Sequence, residues 1–303
     1  MSRLSFLSRL GLRLDTKGAR NRMAQYKNGW PAQSSPDIKF YRSPLVQYRY
    51  REQGEGPVIV FTADPPVTLE LYDELLAIFS ARFRLIVVEL PAMGFSAADK
   101  DYTFGFRETN DDLALFLKDV AGEGAILAFS CVAGLAAVDL AVRRSKLVSK
   151  LVLMQTGDGE AFARWKTARD PKGILARPII GQWIMKRLAP KRMPDWYRLS
   201  VGNRDKIDHF CSCAQESFDH GALWSLASAY QVYMDPSVAL PAPKQPILAT
   251  WGLADRSHPP VNAKSPMNFS SNVTYVAFND LGHFAELEDT KRLFSIICTF
   301  VDG

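Results

Sequence analysis

The sequence predicts an α/β protein with a mostly parallel central sheet, helices on both faces and an inserted helical cap. Three observations support this prediction. Short apolar runs alternate with helical patterns along most of the chain, which is typical of a parallel sheet covered on both faces. One long helix-rich segment interrupts the alternation. A length of 303 residues, with 47% hydrophobic and 23% charged residues, fits one globular domain that carries an insertion.

A basic arm, residues 1–36, precedes the sheet. The apolar residues between Leu4 and Leu14 recur at helical spacing with arginines among them, so we expect an amphipathic helix. Such a helix can pack on its own domain or on a partner subunit, lie on a membrane surface, or act as a targeting sequence. The sequence leaves these roles open.

The predicted strands fall in two parts of an α/β core, residues 37–155 and 245–303. The alternating segments 38–42 and 45–51 predict an antiparallel hairpin that leads into the sheet. Continuous apolar runs predict the buried strands at 58–61, 85–88, 126–129, 151–154, 246–250 and 273–278. Helical patterns lie between several of them, at 69–79, 108–120 and 134–144.

Residues 156–244 separate the two parts of the core and are helix-like, aromatic and basic. We expect them to form a cap over the carboxyl ends of the strands, where ligands bind in open α/β sheets. Within this segment, residues 164–206 carry twelve basic and three acidic side chains. A basic stretch of this kind is typical of a solvated helix face, or it docks an anionic carrier such as coenzyme A or an acyl carrier protein.

Residues 125–137 predict a sharp turn between a buried strand and a helix. An apolar run leads to Ser130, and small residues follow Cys131 before a helical pattern begins. A side chain on such a turn lies beside the first amides of a helix, which stabilise a thiolate or an oxyanion. The turn is therefore a candidate position for a nucleophile.

The turn has candidate partners elsewhere in the chain, in the segments Thr62-Ala63-Asp64-Pro65, Trp251-Gly252-Leu253-Ala254-Asp255 and Leu281-Gly282-His283-Phe284. With the turn, they resemble the α/β-hydrolase family over roughly residues 40–303, in the family's order of nucleophile, acid and histidine. The resemblance implies a catalytic triad of Cys131, His283 and Asp255. It also implies that the backbone amides of Val132 and Asp64 are the oxyanion donors.

Two alternatives remain within this assignment. Ser130 competes with Cys131 as the nucleophile, but it would place bulky Val132 where a small residue is needed, whereas Phe129 departs from the family's usual glycine if Cys131 is chosen. Asp158, just after a predicted strand, is an alternative to Asp255 as the acid.

The resemblance implies a hydrolase, an esterase or thioesterase, that cleaves an ester, thioester or lactone bond through an acyl-enzyme intermediate without a metal or other cofactor. One alternative is an acyltransferase or cyclase with the same triad, because thiolates exchange acyl groups readily. The other is a non-catalytic binding protein, because Asp64 places a carboxylate beside the developing oxyanion. The residues expected to contact a small acyl substrate are Thr62, Ala63, Ser130 and Trp183.

The remaining features favour ordinary roles. The four cysteines form no disulfide framework and no signal peptide or apolar span is evident, so we expect a cytoplasmic protein. The spacing of His209, Cys211, Cys213 and His220 does not match common zinc signatures, and no nucleic-acid motif accompanies the basic charge. His258 is expected to be a surface-loop residue.

Overall fold

The strands form one mostly parallel sheet in the order β1-β2-β4-β3-β7-β8-β10-β11 in a computed structural model, which describes residues 4–17, 38–235, 240–258 and 262–303. The strands are β1 Ile38–Arg42, β2 Val46–Gln53, β3 Val58–Ala63, β4 Arg84–Glu89, β5 Met93–Gly94, β6 Ala97–Ala98, β7 Ala125–Ser130, β8 Val148–Met154, β9 Leu223–Trp224, β10 Ile247–Gly252 and β11 Val273–Phe278. Short β6 pairs with β2, and β5 pairs with β9 in a separate two-stranded sheet.

The α-helices are α1 Phe6–Thr16, α2 Asp73–Phe79, α3 Phe106–Phe116, α4 Ala133–Arg143, α5 Gly159–Arg169, α6 Ile180–Ser200, α7 Ile207–Asp219, α8 Leu226–Ser228, α9 Ala285–Glu288 and α10 Thr290–Asp302. Four 3-10 helices lie at Leu69–Tyr72, Ser145–Leu147, Arg204–Lys206 and Ser265–Phe269, and two π-helical turns lie at Leu117–Ala121 and Ala229–Tyr233. None of the described helices has both the length and the apolar character needed to cross a bilayer.

Helices cover both faces of the sheet, as the sequence predicts. Leu127 of β7 belongs to a hydrophobic cluster with α3 and α4, whereas its neighbours Ile126 and Ala128 belong to a second cluster with α2 and α10. Alternate side chains of a strand point to opposite faces, so the two clusters lie on the two sides of the sheet. The predicted hairpin is also confirmed, since β1 and β2 pair antiparallel with Ile38 opposite Arg51.

The helices between β8 and β10 are α5, α6, α7 and α8. We call this segment the cap. Helix α1 contacts α6 and α8 of the cap, and the other residues of the N-terminal arm, 1–3 and 18–36, lie outside the described residues.

Candidate active site

Cys131 lies on the sharp turn between β7 and α4. Its φ of 53° is in the left-handed region, which residues other than glycine seldom adopt. The Cys131 amide donates to the Met154 carbonyl at 2.8 Å, and the Thr156 hydroxyl donates to the Cys131 carbonyl at 2.9 Å. These backbone contacts hold the thiol at the carboxyl end of the strand.

Neighbouring side chains distinguish Cys131 from Ser130. A Cβ on Gly134 would lie 2.1 Å from the Thr156 hydroxyl oxygen, so only glycine fits three residues after Cys131. The Ser130 side chain is fully buried, and its hydroxyl donates to a carboxylate oxygen of Glu286 at 3.3 Å. Of the two candidate nucleophiles, it is Cys131 that lines the cavities described below.

Two loops in close backbone contact deliver the acid and the histidine. A Cβ on Gly252 would lie 1.8 Å from the Gly282 carbonyl oxygen, so a side chain at position 252 would force the loops apart. The contact brings Asp255 Oδ2 to 2.8 Å from His283 Nδ1. The other oxygen, Asp255 Oδ1, accepts from the Ser257 amide and hydroxyl at 2.7 and 2.6 Å. Because an ionised carboxylate only accepts hydrogen bonds, His283 Nδ1 carries a proton.

A second histidine completes the cluster, so the expectation that His258 is a surface-loop residue is wrong. His258 Nδ1 donates to the same Asp255 Oδ2 at 3.0 Å. Its ring stacks on that of His283 with centroids 4.4 Å apart, and it stacks on Trp165 with centroids 5.2 Å apart. The Cys131 sulfur and one nitrogen of each imidazole lie within 4.8 Å of one another. The one sequence signal for this is that His258 follows Asp255 by three residues in the same loop.

The Asp64 carboxylate occupies the other nitrogen of His283. Asp64 Oδ2 lies 2.7 Å from His283 Nε2, the nitrogen that would otherwise face a nucleophile. The sequence suggests that Asp64 contributes its backbone amide and that its charge opposes an oxyanion. The structure adds an ion pair that partly neutralises this charge.

The buried charges favour an imidazolium beside an easily ionised thiol. Burial alone would lower the pKa of His283, but Asp255 and Asp64 raise it well above its usual range. Burial disfavours the Asp255 carboxylate, yet the charge of His283 and the hydrogen bonds from both imidazoles lower its pKa. Burial and Asp64 raise the pKa of the Cys131 thiol, and hydrogen bonds with His258 and His283 lower it below its usual value.

Cys131, His258 and His283 also form the one cluster of three potential metal ligands found among the described residues. A metal ion bound by both imidazoles would have to lie near the plane of each ring, where the nitrogen lone pairs point. The two ring planes are stacked and only 12° apart, so their lone pairs do not converge. The arrangement therefore favours hydrogen bonding with the thiol over a shared metal ion.

No family model matches the sequence, and no curated protein matches it. Many solved structures do match. An epoxide hydrolase of Bacillus megaterium is 14% identical, with a TM-score of 0.66 over 88% of this chain and 100% of that one. An esterase of Thermogutta terrifontis is 17% identical, with a TM-score of 0.66 over 88% of this chain and 97% of that one. An enol-lactonase of Burkholderia xenovorans LB400 is 18% identical, with a TM-score of 0.63 over 88% of this chain and 100% of that one. The chain has the α/β-hydrolase fold.

Two cavities lie beside the cluster, between the α/β-hydrolase core and the cap. The larger has a volume of about 690 Å³, and its lining includes Cys131, Asp64, His258 and His283. Aromatic side chains of the cap line much of the remainder: Trp165, Trp196, Trp224 and Tyr233. The smaller cavity, of about 390 Å³, shares Cys131, Val132, Trp165 and His258 with the larger one. Both are mostly apolar, which suits an acyl or aromatic group.

Four residues predicted to contact substrate are absent from the linings of these two cavities. Thr62 and Ala63 end β3 and Ser130 ends β7, and all three are buried within the sheet. Trp183 is 59% exposed on the outer side of α6, because the adjacent Gln182 occupies the side that faces the protein.

The other alternative sites also lie apart from the cluster. The carboxylate of Asp158 caps the start of α5 by accepting from the Ala161 amide at 2.8 Å. Cys211 and Cys213 lie on α7, where no group of three potential metal ligands is found among the described residues.

Proposed function

We propose that this protein is a hydrolase of ester, thioester or lactone bonds that forms an acyl intermediate on Cys131. The cluster around the thiol carries this proposal. Cys131 occupies a strained turn within 4.8 Å of two imidazoles, and both imidazoles donate to Asp255. An esterase and a lactonase share the fold, which supports the choice of carbonyl chemistry.

The reaction begins when the Cys131 thiolate attacks the carbonyl carbon of the substrate. The tetrahedral intermediate collapses, and the His283 imidazolium gives its Nε2 proton to the departing alkoxide or thiolate. The acyl group is then a thioester on Cys131. The neutral imidazole next removes a proton from water as the water oxygen attacks the thioester carbonyl. Collapse of the second intermediate releases the acid and restores the thiolate, while Asp255 keeps Nδ1 of His283 protonated throughout.

The oxyanion forms near the first turn of α4. The Val132 amide precedes the first helical residue, so it is the first donor in this proposal, and the Asp64 amide is the second. One such donor is worth about 2.7–4 kcal/mol in the transition state. The ion pair with His283 reduces the repulsion between the Asp64 carboxylate and the oxyanion.

The two histidines take different roles in this scheme. His283 Nε2 is held by Asp64, so His258 is the imidazole free to hold the thiolate before substrate binds. Substrate entry then separates His283 from Asp64, and His283 protonates the leaving group. His258 is therefore a positioning residue for the nucleophile, and His283 is the proton donor.

Arg169 narrows the substrate class. Its side chain lines the larger cavity at the end of α5, and it has no hydrogen bond or ion pair with another described residue. The rest of the wall beyond the cluster is mainly aromatic and aliphatic. A substrate with an apolar acyl or aromatic part and an anionic group, such as a carboxylate or the phosphates of coenzyme A, fits this distribution.

Intact-protein mass spectrometry with a panel of activated esters, thioesters and lactones tests the proposal. A stable acyl adduct on Cys131 is the expected result, and Cys131→Ala should abolish it while Ser130→Ala and Cys298→Ala keep it. An adduct on Ser130 would reverse the assignment. Product analysis with and without an added nucleophile separates hydrolysis from acyl transfer or cyclisation.

One observation favours a second candidate, a ligand-binding protein without turnover. The 2.7 Å contact between Asp64 and His283 occupies the nitrogen that a general acid needs. If this contact persists, acyl esters should raise the melting temperature of the protein without being consumed. Turnover gained on Asp64→Asn would support this reading of the wild-type protein.

A further inference from the structure

Helix α1 is fixed to the cap along one side. Gly11 faces α6, where a Cβ would lie 3.0 Å from the Ile179 amide nitrogen. Asp15 is buried, accepts from the Ser228 hydroxyl at 2.6 Å and lies 3.7 Å from Lys186 Nζ. These contacts make α1 part of the cap surface, so its other side has a defined orientation.

That other side exposes large apolar residues, and so does the neighbouring part of α6. Phe6 is 73% exposed, and Trp183, next to the Gln182 that contacts Gly11, is 59% exposed. The whole set, which we call the outer cap face, is Phe6, Leu7, Leu10, Ile180, Trp183 and Leu188. Six exposed apolar side chains on two adjoining helices are more than scattered surface residues usually provide.

Basic residues accompany the outer cap face. The exposed members are Arg9 and Arg13 on α1 and Lys186, Arg187, Lys191 and Arg192 on α6. Arg187 lies over the Trp183 ring, 5.7 Å from its centroid. No ion pair with another described residue is found for Arg9, Arg13, Lys191 or Arg192. The one acidic residue of α1, Asp15, is buried against the cap, so it does not offset this charge at the surface.

We propose that the outer cap face binds the surface of an anionic lipid membrane. Its apolar side chains would enter the headgroup region, and the unpaired basic side chains would meet lipid phosphates and carboxylates. A symmetric contact between two copies of the chain is disfavoured, because it would bring the basic residues of one copy against those of the other. The proposal does not depend on which reaction the cavity supports.

Vesicle flotation with the full-length protein tests this surface. We expect binding to vesicles of phosphatidylcholine mixed with phosphatidylserine, little binding to pure phosphatidylcholine, and release at high salt. Replacing Arg13 or Arg192 by Gln should weaken binding about fivefold each, since one basic residue near such a surface contributes about 1 kcal/mol. Leu10→Glu should abolish it. Leu115→Glu is the matched control, because Leu115 on α3 is 40% exposed and Leu10 is 41% exposed.

Tryptophan fluorescence with brominated lipids gives an independent readout. Binding should quench the fluorescence, and Trp183→Phe should remove most of that quenching. Equal binding to both vesicle types, or equal losses from Leu10→Glu and Leu115→Glu, would overturn the proposal. Light scattering that shows a dimer dissociated by Leu10→Glu would instead assign the face to a second copy. Activity on a water-soluble ester should be unchanged in Leu10→Glu, which keeps this test separate from that of the reaction.

Discussion

Cys131 and Cys213 are both partly buried cysteines, yet their surroundings shift the thiol pKa in opposite directions. At Cys213, burial and then the Glu70 and Glu216 carboxylates raise the pKa to about 12. At Cys131, hydrogen bonds with two imidazoles outweigh burial and the charge of Asp64. Burial alone therefore does not make a cysteine inert. The neighbouring charges decide which thiol ionises, and the loops that carry them come from distant parts of the chain.

The largest difference is expected between Cys131→Ala and Cys213→Ala. Loss of the nucleophile should reduce turnover by on the order of 10³-fold or more, whereas loss of an un-ionised thiol should leave it within about twofold. Initial rates on an activated ester, with circular dichroism as the check on folding, measure this. Equal activity of both variants would remove the basis for the comparison.

The two imidazoles beside Cys131 should separate next. His283→Gln should lower kcat by about 10²–10⁴-fold, because it removes the proposed proton donor. His258→Gln should cost less in kcat but should raise the pKa of the Cys131 thiol, because one hydrogen bond that lowers it is lost. The pH midpoint of iodoacetamide labelling should therefore move upward. No movement would mean that His258 only fills space.

Asp64→Asn should shift the same midpoint in the other direction. The Asp64 carboxylate raises the pKa of the Cys131 thiol, so its removal should lower that pKa and speed labelling at neutral pH. It also removes one of the groups that raise the pKa of His283. Asp195→Asn on the exposed side of α6 is the control, and it should leave the labelling profile unchanged.

The smallest effect concerns the cavity wall, which Cys131 faces. Arg169→Gln should raise KM about tenfold for an ester with a carboxylate on its acyl part, since a charged hydrogen bond contributes about 1.5–3 kcal/mol. KM for the neutral methyl counterpart should not change. Arg164→Gln, on the exposed side of the same helix, is the matched control. Equal KM changes for both esters would place the anionic group elsewhere.

The sheet and the loops of the site follow from the sequence because their signals are local. Apolar runs define the strands, and the glycines at 252 and 282 permit the loop contact that joins Asp255 to His283. Small residues after position 131 likewise distinguish Cys131 from Ser130. Each of these features depends on residues within a few positions of one another or on the order of motifs along the chain.

Other features depend on how distant surfaces meet. The stacking of His258 on His283 requires two loops in contact, and the sequence shows only its separation from Asp255. The Asp64 carboxylate turns towards His283 because an imidazolium is available there. The apolar pattern of α6 does not reveal which side the cap buries, so Trp183 was placed in the cavity although it faces solvent.

The lowered pKa of the Cys131 thiol has a consequence outside carbonyl chemistry. Peroxide reacts with thiolates to give sulfenic acid, and the reaction follows ionisation and access. An oxidising environment should therefore silence this protein at one atom, reversibly while the sulfur remains a sulfenic acid. Cys213, with its thiol protonated at neutral pH, should survive the same exposure unchanged.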